Sequence, residues 1–466
     1  MNRPAATLLI AVLGFPAGPA AALVFTPTEE ARQISDPVPP AATAEPVVGG
    51  EGENSPPQEM VFAPSDLWQR IRDGFAIPDL EGPLVRKQEE WYAQRPDYVK
   101  RMVERSRRYL YYVAEEVQRR NMPMEIALLP MIESAYNPRA YSRSHASGMW
   151  QFIPSTGKLY GLPQNWWYDG RRDVLAATTA ALDYLQYLHG LFGDWRLALA
   201  SYNWGEGAVS RAIARNQAKG LPTDYSSLPM PAETREYVPK LQAVKNIIMS
   251  PSAYGLALAE IPNQPYFVSV PAHKSMDLTL AARLAEIPLE EFVSLNPAHN
   301  RPVVHKDTTA AVLPPVQQAK KFEENLEKHD KPLTSWQAYT LKAKERLDKV
   351  AARFGLTLAK LKEINGVVGR WQVVSGMTLL VPTPGSALAA EIPAAVAALV
   401  PTVPAARSAR RAASAPKVVT HVVRKGDTLF NIAKRYAVTV AELVGWNRLR
   451  ANHLALGQKL IIKPDA

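Results

Sequence analysis

A chain of 466 residues exceeds what one ordinary hydrophobic core supports, so two or more domains are expected. The net charge of +10 suits any polyanion, but no basic run is interleaved with aromatics as a nucleic-acid groove requires, and nucleic acid is not expected as a partner. The cysteine count of 0 excludes disulfides, thiolate metal sites, a cysteine nucleophile and an acyl group on an N-terminal cysteine, so no lipid anchor is expected.

Met1-Asn2-Arg3 gives a short positive start, and the run from Ala5 to Ala22 is apolar and ends in Ala20-Ala21-Ala22. This is the pattern of a secretory signal with a small-residue cleavage site. Pro16 and Pro19 interrupt the run and disfavour a membrane-spanning helix. Residues 1–22 are expected to be a signal peptide. Residues 23–64, rich in Pro, Ala, Glu and Gly without periodicity, are expected to be a flexible linker.

From Asp66 the pattern turns helical, with Leu67, Ile71 and Phe75 on one face and Met102, Tyr109, Tyr112 and Val113 among many charges. Residues 65–121 read as a helical collar. Residues 122–250 read as an all-α domain. One of its helices begins after the N-cap Asp173, runs through Val174, Ala177, Ala181, Leu185 and Leu188, and is stopped by Gly190 and Gly193. Others cover Trp195 to Ser201 and Val238 to Ile248.

The C-terminal part repeats itself. His421, Leu429, Ile432, Ala433, Tyr436, Leu443 and Asn447 align on Tyr339, Leu347, Val350, Ala351, Phe354, Leu361 and Asn365. With one inserted residue, Gly457, Leu460 and Ile462 align on Gly376, Leu379 and Val381. Each unit reads as strand, helix, helix, strand, over 337–383 and 420–464. A weaker copy over 265–315 keeps Leu278, Ala281, Ala282 and Ala285, then Phe292, Asn296 and Val312-Leu313. Residues 384–418, rich in Pro, Ala and Val, read as a semi-rigid linker.

The segment with most chemistry is Ala127-Leu-Leu-Pro-Met-Ile-Glu-Ser-Ala-Tyr-Asn-Pro138. On a helix, Ile126, Leu129 and Glu133 share a buried face, and Asn137 before a proline leaves the helical region, placing Glu133 in the last turn. Desolvation and the negative helix end both favour the neutral carboxyl, which could protonate a glycosidic oxygen. A bare glutamate at a helix end more often caps or pairs with arginine. Downstream lie Ala140-Tyr-Ser-Arg-Ser-His-Ala-Ser-Gly-Met-Trp-Gln-Phe-Ile-Pro154, Ser201-Tyr-Asn-Trp-Gly-Glu-Gly207 and Glu233-Thr-Arg-Glu-Tyr-Val-Pro239. Their hydroxyls, amides and rings suit a sugar cleft, with Gly148 letting backbone approach a ligand. Singly, each also fits a helix terminus or a packed core aromatic.

Together, the ordered motifs ESAYNP, ASGMWQFIPSTGKLYGL, SYNWGEG and ETREYVPK resemble the soluble lytic transglycosylase catalytic domain, and the C-terminal repeats resemble LysM modules. The resemblance implies a multidomain chain: an all-α, lysozyme-like domain of goose type followed by three small α+β (βααβ) modules. It implies a peptidoglycan lytic transglycosylase that cleaves the β-1,4 bond between N-acetylmuramic acid and N-acetylglucosamine and forms 1,6-anhydromuramic acid. Glu133 matches the sole catalytic acid/base, Ser142 and Gln151 match cleft residues beside it, and Tyr202, Asn203, Glu233 and Tyr237 match positions lining the groove. Ordinary glycosidases need two carboxyls, and no second acid has an obvious place beside Glu133, since Asp169 and Asp173 read as turn and cap residues.

In LysM modules, the loop after the first strand and the loop before the last one face the N-acetylglucosamine chain. The last module carries Gly426-Asp427-Thr428-Leu429 there, whereas the middle one has Lys344-Glu345-Arg346 and the first has lost the turn. Glycan binding is therefore expected at Gly426, Asp427, Thr428 and Leu429. The resemblance implies no metal and no cofactor, peptidoglycan strands as partner, a monomer, and a periplasmic, wall-associated location. A hydrolytic muramidase of the same fold and a non-catalytic wall-binding scaffold are the alternatives.

Overall fold

The computed structural model describes residues 65–309, 311–366, 376–383, 419–424, 427–436, 438, 440–447, 449 and 454–462. The expected signal peptide, both linkers and Gly426 lie outside the described residues.

Asp66 opens the first helix, α1 (Leu67–Asp73), by accepting from the Trp68 amide, and Gly74 ends it before Phe75. The collar continues with α2 (Pro83–Ala93), α3 (Pro96–Ser106) and α4 (Leu110–Arg119). A 3₁₀ turn, Met124–Leu128, leads into α5 (Leu129–Ser134), followed by α6 (Pro154–Leu159), α7 (Val174–Phe192), α8 (Trp195–Trp204), α9 (Glu206–Gln217), α10 (Ala232–Arg235) and α11 (Tyr237–Met249). Asp173 caps α7 through the Ala176 amide at 2.7 Å, and Gly193, at φ 66°, ends it. Gly190, expected as a stop, lies inside this helix, because a helix tolerates one glycine at about 1 kcal/mol.

Collar and central helices bury one continuous apolar cluster. Leu67, Trp68, Val99, Leu110 and Val113 from α1–α4 pack with Ile126, Leu129, Leu185, Leu199 and Val244. Helix α11 is the axis, touching α2, α5 and α8. This arrangement sets α5 and α11 side by side.

The first module contains β1 (Val270–Pro271), β2 (Met276–Asp277), α12 (Leu278–Leu284), α13 (Leu289–Leu295), β3 (Val303–Val304) and β4 (Ala311–Val312). Strands β1 and β4 pair, as do β2 and β3, both antiparallel. An added helix, α14 (Val316–Glu327), buries Phe322 against Phe292, at 6.4 Å between rings. The middle module is β5 (Trp336–Thr340), α15 (Leu347–Arg353), α16 (Leu358–Ile364) and β6 (Thr378–Pro382), with Tyr339 opposite Leu379. The last is β7 (Val419–Val422), α17 (Leu429–Tyr436), α18 (Val440–Asn447) and β8 (Lys459–Ile462), with His421 opposite Leu460.

The repeated asparagine explains why the repeat is legible. Asn365 donates to the carbonyls of Leu361 and Leu380 and accepts from the Leu380 amide at 2.7 Å. Asn447 does the same with Leu443 and Ile461, and Asn296 with Phe292 and Leu313. In each module one side chain clamps the second helix to the last strand. Such a buried clamp is costly to lose, because the groups it served stay unpaired. Asn365→Ala should destabilise the middle module by about 2–3 kcal/mol, read as faster amide exchange across β5 and β6 with the catalytic helices unaffected.

Candidate active site

The segment carrying Glu133 is two short pieces rather than one helix. The 3₁₀ turn ends at Leu128, and α5 has only 6 residues, with Pro130 near its start where a missing amide costs nothing. The continuous face expected from Ile126 to Glu133 is thus broken, although Ile126 and Leu129 are fully buried. Glu133 does sit in the last turn. Ala135 and Tyr136 then take left-handed conformations, at φ 51° and 55°. Each costs about 1–3 kcal/mol for a residue with a side chain.

Tyr136 holds that turn. Its ring is wholly buried, its hydroxyl donates to the Ala127 carbonyl at 2.7 Å, and it stacks parallel on Tyr109 at 6.5 Å. Tyr109 in turn donates to the Ser294 carbonyl of the first module at 2.8 Å. Ser134 fixes the other side, its hydroxyl bonding the Met149 carbonyl at 2.9 Å. Neither Ser134 nor Tyr136 was singled out in the sequence, although both flank Glu133 in the motif.

Glu133 is half-buried, and desolvation pushes its pKa up to about 7. Tyr237, the first residue of α11, donates to its Oε1 at 2.5 Å and pulls the other way, as does the charge of Lys240, while Glu233 adds to the rise. Burial therefore outweighs a strong hydrogen bond and a cation. The helix end is not among these causes, and α5 is too short to develop much of a dipole.

Around Glu133 lies a cleft of about 500 Å³, and Ser142, Gln151, Tyr202, Asn203, Glu233 and Tyr237 all line it. Ser142 accepts from the Ala146 amide at 3.0 Å, and its hydroxyl is hydrogen-bonded to that of Ser144 at 3.0 Å. Gln151, at φ 50°, spends its NH₂ on the carbonyls of Gly148 and Ala140, leaving its oxygen to face a ligand's donors. Asn203 is the converse: its oxygen accepts from Thr234 at 2.8 Å, leaving its NH₂. Tyr202 donates to the Trp150 carbonyl at 2.8 Å and packs against Tyr184.

Two expectations need correction. Gly148, at φ 86°, admits backbone rather than ligand: a Cβ there would lie 1.9 Å from the Arg171 carbonyl oxygen. The cleft also contains carboxylates beyond Glu133 and Glu233. Glu206 accepts from Tyr184 at 2.8 Å, and Glu236 is paired with Lys87 at 2.7 Å and with Gln88. Both lie inside motifs quoted from the sequence, but neither was singled out, because their convergence depends on the tertiary fold. Among the described residues, no three His, Asp or Glu side chains gather as a metal site.

In the last module, Asp427 accepts from the Arg424 amide at 2.8 Å and pairs with His421 at 2.8 Å and Arg435 at 3.7 Å. Leu429 is buried in the module core, and Thr428 is exposed. The side chains of Asp427 and Leu429 therefore build the loop rather than project from it. Glu345 does the work of Asp427 in the middle module, accepting from the Lys342 amide and Tyr339 and pairing with Arg353 at 3.0 Å. Glu345 and Asp427 thus each accept from the amide three residues before them, with different neighbours.

This geometry agrees with the comparisons. Residues 111–223 match the Transglycosylase SLT domain, 339–382 and 421–463 match the LysM domain, and 266–331 match the LysM-like domain of lytic transglycosylase MltD. A lysozyme-like SLT domain followed by LysM modules defines a peptidoglycan lytic transglycosylase. Membrane-bound lytic murein transglycosylase D of Escherichia coli (strain K12) is 35% identical over 410 residues, 85% of either chain. The chain belongs to that family of lytic murein transglycosylases. The soluble lytic murein transglycosylase of Salmonella typhimurium is 33% identical over 120 residues, covering 24% of this chain and 18% of its own. Among solved structures, the 70 kDa soluble lytic transglycosylase of Escherichia coli aligns on 28% of this chain and 22% of its own, at 28% identity and a TM-score of 0.24.

Tyr237→Phe removes the hydroxyl that stabilises the ionised carboxyl, so the pKa of Glu133 should rise further. The alkaline limb of the pH–rate profile should move up by about 0.5–1 unit. A shift to lower pH would contradict the assignment.

Proposed function

We propose that Glu133 is the single acid and base of a lytic cleavage at the β-1,4 bond between N-acetylmuramic acid and N-acetylglucosamine. The observation that carries this reading is the half-buried carboxyl on the cleft floor, held by Tyr237 and pushed up to about 7, so that a large fraction stays protonated at neutral pH. Glu133 gives its proton to the leaving glycosidic oxygen as the bond to C1 breaks, and the substrate's own N-acetyl group stabilises the charge at C1. The resulting carboxylate takes the proton from the O6 hydroxyl. O6 then bonds to C1, closing a 1,6-anhydro ring without water and restoring the acid.

Ser142, Gln151, Tyr202, Asn203, Glu233 and Tyr237 position the glycan. Gln151 supplies an acceptor, Asn203 a donor and Tyr202 a ring. In the last module Gly426, Asp427, Thr428 and Leu429 serve glycan binding, with Asp427 and Leu429 shaping the loop on which Thr428 lies. The enzyme works as a monomer in the periplasm, exported by the segment 1–22 and associated with the wall. Linking weak modules to the catalytic domain raises the local concentration of glycan at the cleft.

The sharing of one cleft by Glu133 and Glu233 keeps a hydrolytic muramidase as the second reading. Product analysis separates the two: digested sacculi should yield 1,6-anhydro ends, and reducing ends in their place would favour hydrolysis. Glu133→Gln should lower product release by about 10²–10⁴-fold while sacculus binding persists. Unchanged cleavage would remove Glu133 from the mechanism.

A further inference from the structure

A second cavity of about 530 Å³ lies between the catalytic helices and the first module. Its walls are seamed together. The Asp169 amide donates to the Ala298 carbonyl at 2.9 Å, the Asn300 amide donates to the Trp167 carbonyl at 2.7 Å, and Tyr168 and His299 form a β-bridge. Backbone hydrogen bonds across a seam fix both walls, so this is a formed groove and not a gap between loosely tethered bodies. The module's wall comes from the segment between α13 and β4, which lies before its last strand.

A row of packed aromatic rings lies between the groove and the catalytic cleft. Tyr202 and Tyr184 line the cleft with centroids 5.5 Å apart, and Tyr184 packs at 5.0 Å on Tyr160, which lines the groove. Beyond Tyr160 the lining offers the Tyr168 ring, the hydroxyls of Thr179 and Thr309, the exposed carboxylate of Asp183, and His299. Asp183 has a loose contact with Arg120 at 3.5 Å, which leaves acceptor capacity. His299 is 3% exposed, and its buried Nδ1 has no hydrogen-bond partner. Such an orphaned polar atom is costly unless a ligand group meets it. Rings, hydroxyls and an exposed carboxylate held only loosely by Arg120 describe a site for uncharged, hydroxyl-rich rings.

We propose that this groove is a distal glycan subsite, in which N-acetylhexosamine units of the strand held at Glu133 pass over Tyr184 and Tyr160 and lie between α7 and the first module. The module so placed forms a wall of the substrate channel. The inference rests on the catalytic reading above.

The test compares kcat/KM of the full chain on a short glycan, such as a tetrasaccharide, and on long strands. Asp183→Ala removes the exposed acceptor, and Ala176→Arg fills the groove from an exposed position of α7. In both variants kcat/KM on long strands should fall about 5–10-fold, the equivalent of roughly one lost polar contact, with the short substrate cleaved as before. An unchanged ratio of long to short would overturn the proposal, and so would an equal fall on both lengths. If the unaltered protein cleaved neither length, the catalytic reading would fail and this inference with it.

Discussion

The structure depends on keeping one carboxyl half out of water. A glutamate in solution is ionised at neutral pH and has no proton to give. Glu133 keeps its proton because α5 ends beside α11, where burial opposes ionisation more strongly than Tyr237 and Lys240 favour it. The balance is a compromise. Without Tyr237 the carboxyl would ionise at a higher pH still, and without burial it would ionise in the ordinary range.

Holding that geometry requires strain, and the molecule distributes the support widely. Consecutive left-handed residues, Ala135 and Tyr136, turn the chain directly after α5. The buried Tyr136 ring fixes the turn to Ala127 and, through its stack on Tyr109, to the Ser294 carbonyl of the first module. On the opposite side, Arg171 bonds the carbonyls of His145 and Phe152 in the cleft wall, and its loop meets the same module through Asp169 and Trp167. The first module therefore braces both the acid and the wall opposite it. A module with a weak LysM pattern has a structural duty that a sugar-binding pattern would not reveal.

What could be read from the sequence follows from what is local. Asp173 announced α7 because an N-cap acts within one turn. The module repeat was visible because one asparagine and a few core positions recur at fixed spacing. Glu133 could be singled out because its neighbours form an ordered motif. The 3₁₀ break at Leu128 was not foreseen, since period alone does not distinguish a continuous helix from two pieces with buried residues on one side. Gly148 was read as a ligand contact, yet the backbone it admits comes from Arg171, more than twenty residues away. Glu206 and Glu236 reach the cleft only through tertiary folding. The role of Glu345 was hidden because acid, amide and cation can rebuild a turn with different residue names.

The most direct measurement is the ionisation of Glu133 itself, followed by isotope-edited NMR or infrared difference spectroscopy of the intact protein against Glu133→Gln. The account predicts a carboxyl signal titrating near 7, absent from the variant. A signal that titrates in the ordinary range near 4.5, leaving an anion at neutral pH, would contradict it.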